Sequence, residues 1–273
     1  MIFVVIIGLG ILCYPFVSDA LNSYLDQQLI AHYQKKANEE NQEAVNKLEE
    51  KQKENEKLAE EGNNPGMSTF NEAVSEEEAQ EKSEKEGKTY YENHTIGAIY
   101  IPKIKVSLPI FDETNEILLQ RGASLLEGTS YPIGGESTHS VISAHRGLPE
   151  AKLFSDLPKL KEGDLFYIDI NNERHAYEVD QIEVIEPTET DALKIVPDED
   201  LVTLMTCTPY MVNSHRLLVR GHRIPYNEED GETIKKVSQH NQWKLFAWVA
   251  GILAVLLALG IFIWKKVKNK QKK

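Results

Sequence analysis

From residue 89 to residue 226 the chain is written in short apolar runs, each stopped by turn-forming residues. Such runs are shorter than most helices but match strands, and this pattern narrows the fold to an all-β sandwich or barrel. Residues 96–102 and 106–110 predict two strands that end at or near proline, as edge positions permit. Residues 140–144 predict another, ending at His145, and 165–170 with 175–185 predict a hairpin around Asn171-Asn172-Glu173. Residues 201–206 and 217–224 complete the set. Residues 115–122 and 153–160 predict short helical pieces, while 122–135 is turn-rich. Seven or eight strands with so few helices predict a mainly β fold, a closed or nearly closed barrel. No internal repeat is visible.

The two ends are of different composition. Residues 245–264 form an uncharged apolar run of 20 residues, long enough to cross a bilayer as a helix. Trp243, Trp248 and Trp264 stand near its ends, and six lysines follow among the last nine residues. Positive charge favours the cytoplasmic side, so the preceding domain is expected outside the cell membrane. At the other end, residues 1–17 are apolar and uncharged before Ser18-Asp19-Ala20, which suits either a cleaved signal peptide or a retained anchor. The net charge of −13 argues against nucleic acid as a partner.

Residues 22–61 are polar with helical composition and only a weak apolar stripe, predicting a solvated stalk or a helix lying on a neighbouring domain. Gly62-Asn63-Asn64-Pro65-Gly66 ends that helix, and Met67-Ser68-Thr69-Phe70 reads as a short exposed stretch. Residues 71–88, with seven glutamates and three lysines, read as a solvated helix or linker. The expected organisation is an apolar signal or anchor over 1–21 and a helical arm over 22–88. A barrel over 89–226 follows, then a linker over 227–242, a transmembrane helix over 243–264 and a basic tail over 265–273.

Chemistry concentrates on Cys207, one of two cysteines; the other, Cys13, lies in the apolar N-terminal segment. Extracytoplasmic proteins usually pair their cysteines, so a lone thiol at a strand end is a candidate nucleophile, against the alternative of an inert buried cysteine. A thiol of ordinary acidity, about 8.5, is mostly protonated at neutral pH and needs an imidazole as proton partner. His145, at the end of another strand, suits that task and can also protonate a leaving amine. Arg216, opening a third strand, is always charged and offers several N–H donors to an oxyanion or to peptide carbonyls. His145 and Cys207 are 62 residues apart, so only strand ends meeting at one barrel rim would unite them. Thr206 is a candidate substrate contact near the acyl oxygen, although threonine is also an ordinary strand residue. His215 alternates to the face opposite Arg216. Arg220 and Arg223 read as surface charges, and His139 and His222 have no partner pattern. No metal motif is present, and no cofactor is expected.

Thr203-Leu204-Met205-Thr206-Cys207 resembles the T-L-x-T-C signature of sortases, the cell-surface cysteine transpeptidases of Gram-positive bacteria. Ser143-Ala144-His145-Arg146 resembles their histidine motif, and Arg216 falls at the family's arginine. The resemblance covers residues 91–226. The membrane segments, Thr208-Pro209-Tyr210 and the run from His215 to His222 resemble class C, the pilin-polymerising branch. That resemblance implies an eight-stranded barrel and cleavage of an LPxTG-like sorting signal between Thr and Gly. It further implies a thioester on Cys207, resolved by a lysine amine of the next pilin subunit to give an isopeptide bond. Class C enzymes also carry an N-terminal lid, usually an Asp-Pro-aromatic triplet over the active site. Here the corresponding stretch is Ser68-Thr69-Phe70, with Phe70 placed to plug the groove and no carboxylate to pair with the arginine. Two other readings stand beside this one. A housekeeping-type sortase would attach surface proteins to a cell-wall precursor, and a non-catalytic anchored adhesion or scaffold module would leave the Cys, His and Arg set without a task.

Overall fold

The structure, a computed structural model, describes residues 2–39, 42–74 and 87–271. Eight strands close into a barrel in the order β1-β2-β3-β4-β7-β8-β6-β5. They are β1 (Thr95–Ile101), β2 (Val106–Phe111), β3 (Ala123–Leu125), β4 (Thr138–Ser143), β5 (Leu165–Ile170), β6 (Glu173–Ile185), β7 (Asp200–Thr208) and β8 (His215–Ile224). The β2–β3 and β4–β7 pairs are parallel, and the remaining pairs are antiparallel.

The strands are apolar on successive residues because both faces of the sheet are covered. Ile99, Ile142, Phe166, Ile168, Val202, Leu204 and Val219 fill the interior, with Phe166 stacked on Tyr177 at 5.4 Å. Gly221 lies against this stack; a Cβ there would come within 2.6 Å of the Phe166 ring. The hairpin between β5 and β6 turns on Asn171 and Asn172, at φ 49° and 63°, the left-handed pair that a two-residue loop requires. β3 is the strand missing from the sequence pattern. The segment 122–135 reads as turns, yet Ala123–Leu125 pairs with β2 on one side and β4 on the other. Three residues are too few to show a period, but without them the barrel would be open.

Among the described residues, six α-helices surround the barrel: α1 (Ile2–Asn38), α2 (Gln42–Glu61), α3 (Met67–Ala73), α4 (Lys88–His94), α5 (Glu116–Leu119) and α6 (Glu228–Gln271). α1 is not a free stalk. It buries Ala20, Leu29 and Ile30, and Gln27 Nε2 donates to Ser107 Oγ at 3.0 Å. α2 docks through Asn55, which donates to the Tyr131 carbonyl at 2.9 Å and accepts from its N–H at 2.7 Å. The stretch 71–88 falls mostly outside the described residues; Asn71 belongs to α3, and α4 begins at Lys88.

The expected linker over 227–242 is instead the first part of α6 and packs on the barrel. Tyr167 Oη donates to Asp230 Oδ1 at 2.8 Å, and Ile234 and Val237 are buried. Beyond Lys244 the helix changes character, leaving Phe246, Leu253, Leu256 and Leu257 uncovered. The helix is long and apolar enough to cross a membrane, and only 6% of its most apolar stretch is buried, which a core helix would not show. α1 runs beside it: Phe16 stacks on Trp248 at 5.4 Å, and Lys244 forms an ion pair with Asp19.

Candidate active site

Strands β4, β7 and β8 are neighbours, and their registers align the three chemical residues. Cys207 on β7 faces Arg216 on β8 directly. Ser143, the last residue of β4, faces Met205, and the parallel register continues past the strand end through Ala144 N donating to Met205 O at 3.1 Å. Two further residues along each chain are His145 and Cys207. Strand alternation puts Met205, Cys207, Arg216 and Leu218 on one face, the outer one, while Leu204 and Leu217 point into the barrel.

Thr206 falls on the other side of that alternation. Its hydroxyl donates to Ala144 O at 2.7 Å and the residue is wholly buried, so it ties the His145 segment to β7 and does not line the groove. His215 also stands apart from Arg216, with Nε2 3.1 Å from Glu186 Oε1. Arg220 pairs with Asp180 through two contacts of 3.0 Å, and Arg223 lies 3.6 Å from Asp200. His139 has one ring nitrogen 2.8 Å from Lys194 O and the other 2.8 Å from Thr203 Oγ1. Among the described residues, no group of three or more His, Cys, Asp or Glu is arranged to hold a metal ion.

The stretch expected to be exposed at residues 67–70 is buried. It forms the start of α3, with Met67 4% and Phe70 0% exposed, and both belong to the apolar cluster that contains Cys207. Met67 and Phe70 are one helical turn apart and so reach the sheet together. Ser68 is exposed, and Thr69 Oγ1 donates to Glu127 Oε2 at 3.3 Å; neither joins the cluster. α3 is fastened at both ends. Gly66 N donates to Glu127 O at 2.8 Å, and Asn71 Nδ2 donates to Pro187 O at 3.1 Å. Asn63, just before α3, bonds the Leu193 carbonyl and the Ile195 N–H at 2.9 Å each.

Arg216 meets α3 through a neutral group. Arg216 Nη2 donates to Asn71 Oδ1 at 2.5 Å, and the guanidinium lies 5.4 Å from the Phe70 ring centre. Nη1 donates to the carbonyls of Asn213 and His215, at 2.9 and 3.0 Å, while Nε is buried without a partner. A second guanidinium, Arg146, was not legible as a site residue. Its Nη1 donates to Thr208 Oγ1 at 3.1 Å, and its Nε is likewise buried without a partner. Two buried donors without acceptors beside one thiol suit an incoming peptide carbonyl.

Cys207 is 3% exposed and unpaired. Burial raises its pKa above the ordinary thiol value, opposed in part by the positive charges of Arg216 and Arg146. Burial under α3 therefore disfavours the thiolate. His145 Nε2 lies 3.1 Å from Glu116 Oε2. Glu116 carries no sequence signal, being 29 residues from the histidine it meets.

A sortase-domain family model matches residues 99–224. The crystal structure of sortase C-1 from Streptococcus pneumoniae is 47% identical, covers 73% of this chain and 100% of that one, and superposes with a TM-score of 0.60. Sortase C1 of GBS Pilus Island 1 is 43% identical, covering 74% of this chain and 94% of that one with a TM-score of 0.62. Among curated relatives, sortase A of Bacillus anthracis is 30% identical over 128 residues, 46% of this chain. The match spans 58% of that relative's length.

Proposed function

We propose that this chain, which belongs to the sortase family and to its class C branch, is a membrane-anchored transpeptidase that joins pilin subunits through isopeptide bonds. One observation carries the reading: Cys207 and Arg216 are paired on one outer face beneath α3, and the segment carrying His145 leaves the adjacent strand β4. The name of one similar structure, a sortase C1 of a pilus island, supports pilin as the substrate class.

In the first half of the reaction the Cys207 thiolate attacks the threonine carbonyl carbon of an LPxTG-like signal. The developing oxyanion is met by N–H donors, for which Arg216 is placed. Collapse breaks the Thr–Gly C–N bond, and His145 gives the departing glycine nitrogen its proton, leaving a thioester. In the second half His145 takes a proton from an acceptor lysine amine as its nitrogen attacks the thioester carbon. The C–S bond breaks, the isopeptide forms, and the thiolate returns beside a protonated imidazole. No cofactor enters either half.

α3 occupies the face the peptide needs, so it must move first. The apolar half of α6 supports anchoring to the cell membrane with the barrel outside and the lysine tail inside. The test is intact mass after full-length protein in detergent meets an LPxTG-type peptide. A Cys207 adduct, absent in Cys207→Ala and discharged by a lysine side-chain amine, is the expected result. No adduct even in Phe70→Ala, with a thiol that alkylates freely, would remove the reading.

A further inference from the structure

Glu116 opens the one-turn helix α5 and is 9% exposed, yet the chemistry above gives it no task. Its Oε2 lies 3.1 Å from His145 Nε2, and the histidine side chain is itself only 11% exposed. The other carboxylate oxygen accepts from Gln120 Nε2 at 3.0 Å. The short helix is pinned on every side. Asn115 caps it by accepting from Leu118 N at 2.9 Å, Thr114 Oγ1 donates to Leu125 O at 2.9 Å, and Leu118 and Leu119 are fully buried. Packing and hydrogen bonds thus hold this carboxylate in one place, unlike an acid on a flexible surface stem.

We infer that Glu116 is the positioning residue for His145, an inference that rests on the transpeptidase reading above. An ionised carboxylate can only accept, so the proton of that contact sits on Nε2. Nδ1 is then the nitrogen free to exchange a proton with the sulfur, the leaving amine and the acceptor amine. The contact also fixes the ring's rotation, which the strand register alone does not do, because His145 lies beyond the end of β4. A negative charge in a site this dry stands beside the imidazolium that forms as the acceptor amine is deprotonated. The two groups are 29 residues apart in sequence, yet their side chains meet at 3.1 Å with both largely buried.

The experiment uses full-length protein in detergent with an LPxTG-type peptide and a lysine side-chain amine. Glu116→Gln keeps the shape and an accepting oxygen but loses the charge and the constraint on the proton. We expect its kcat to fall about tenfold or more with KM within about twofold. Glu116→Asp should recover part of that loss, and Glu116→Ala should lose more than Glu116→Gln. Unchanged kcat in both Glu116→Gln and Glu116→Ala overturns the role and leaves the transpeptidase reading intact. Activity that instead falls in step with the thermal midpoint, with no recovery in Glu116→Asp, assigns Glu116 to packing and also overturns it. If Glu116→Gln fails to fold, the kcat of Glu116→Asp at unchanged KM decides between the same two outcomes. No acyl adduct in the wild type or in Phe70→Ala, with a thiol that alkylates freely, removes the transpeptidase reading itself, and this role with it.

Discussion

The barrel has two covered outer faces, and they are covered in different ways. On the face formed by β1, β5 and β6, Ala98, Tyr100, Tyr167 and Ala176 lie under Ile30 of α1 and Ile234 of α6. Both covering helices are long, and each has a further apolar end that pairs with the other through Phe16 and Trp248. On the face formed by β4, β7 and β8, the cover is α3, seven residues that present Met67, Phe70 and Ala73. A helix of that length is not stable by itself and exists only while docked. The first cover is therefore part of the fold, whereas the second lies over Cys207 with far less structure behind it. The comparison teaches that burial alone does not define a core; what matters is how much structure must be lost to undo it.

Phe70→Ala should break the contrast most visibly. Removing a buried phenylalanine costs about 3–5 kcal/mol, and if that loss falls on α3 docking, Cys207 alkylation by a small reagent rises about 100-fold or more. An unchanged alkylation rate would mean that Phe70 does not gate the thiol. Ile30→Ala makes the complementary change on the other face. It should destabilise the whole protein by about 2–4 kcal/mol in denaturant melts, while alkylation in the native state stays at the wild-type rate.

Asn71→Asp sharpens the comparison from the other direction. It puts a carboxylate against Arg216, and a charge-assisted bond is about twice as strong as a neutral one. We expect alkylation to slow by about tenfold, read in the same assay, with peptide acylation slowed alongside. Faster alkylation would show that burying the new charge outweighs the pairing.

The smallest effect concerns acid stability, and it should be blind to the lid. His175 is buried, both ring nitrogens lack partners, and burial with Arg223 nearby lowers its pKa to about 4 from 6.5. The unfolded chain takes up this proton first, so stability is present above pH 6.5 and declines as pH falls toward 4. His175→Phe should reduce that decline, shifting the midpoint at pH 4.5 by a few degrees relative to wild type. The pH dependence of Phe70→Ala melts should match the wild type.

Much of the barrel was legible because its strands are buried on both faces and bounded by turn residues; Asn171 and Asn172 even identified their own hairpin. β3 was not, since three residues in a turn-rich segment become a strand only when β2 and β4 supply both partners. The reactive residues were legible as types, through the Thr-Leu-Met-Thr-Cys run and the strand-end histidine and arginine. Their supports were not. Asn71 meets Arg216 across 145 residues and Glu116 meets His145 across 29, and neither carries a local pattern. Residues 67–70 were read as exposed from their polar context, and only the resemblance pointed Phe70 toward Cys207, with which it is clustered in the structure.

Local sequence determines what neighbouring residues can settle among themselves: strand periodicity, turn chemistry, the apolar length of α6 and the reactivity available to a thiol, an imidazole and a guanidinium. Closure of the barrel, the alignment of Cys207 with Arg216 and His145, and the burial of that thiol under Phe70 were decided only by the tertiary structure. Each depends on register and packing between segments far apart in the chain, where the energy belongs to the contact and to neither segment alone.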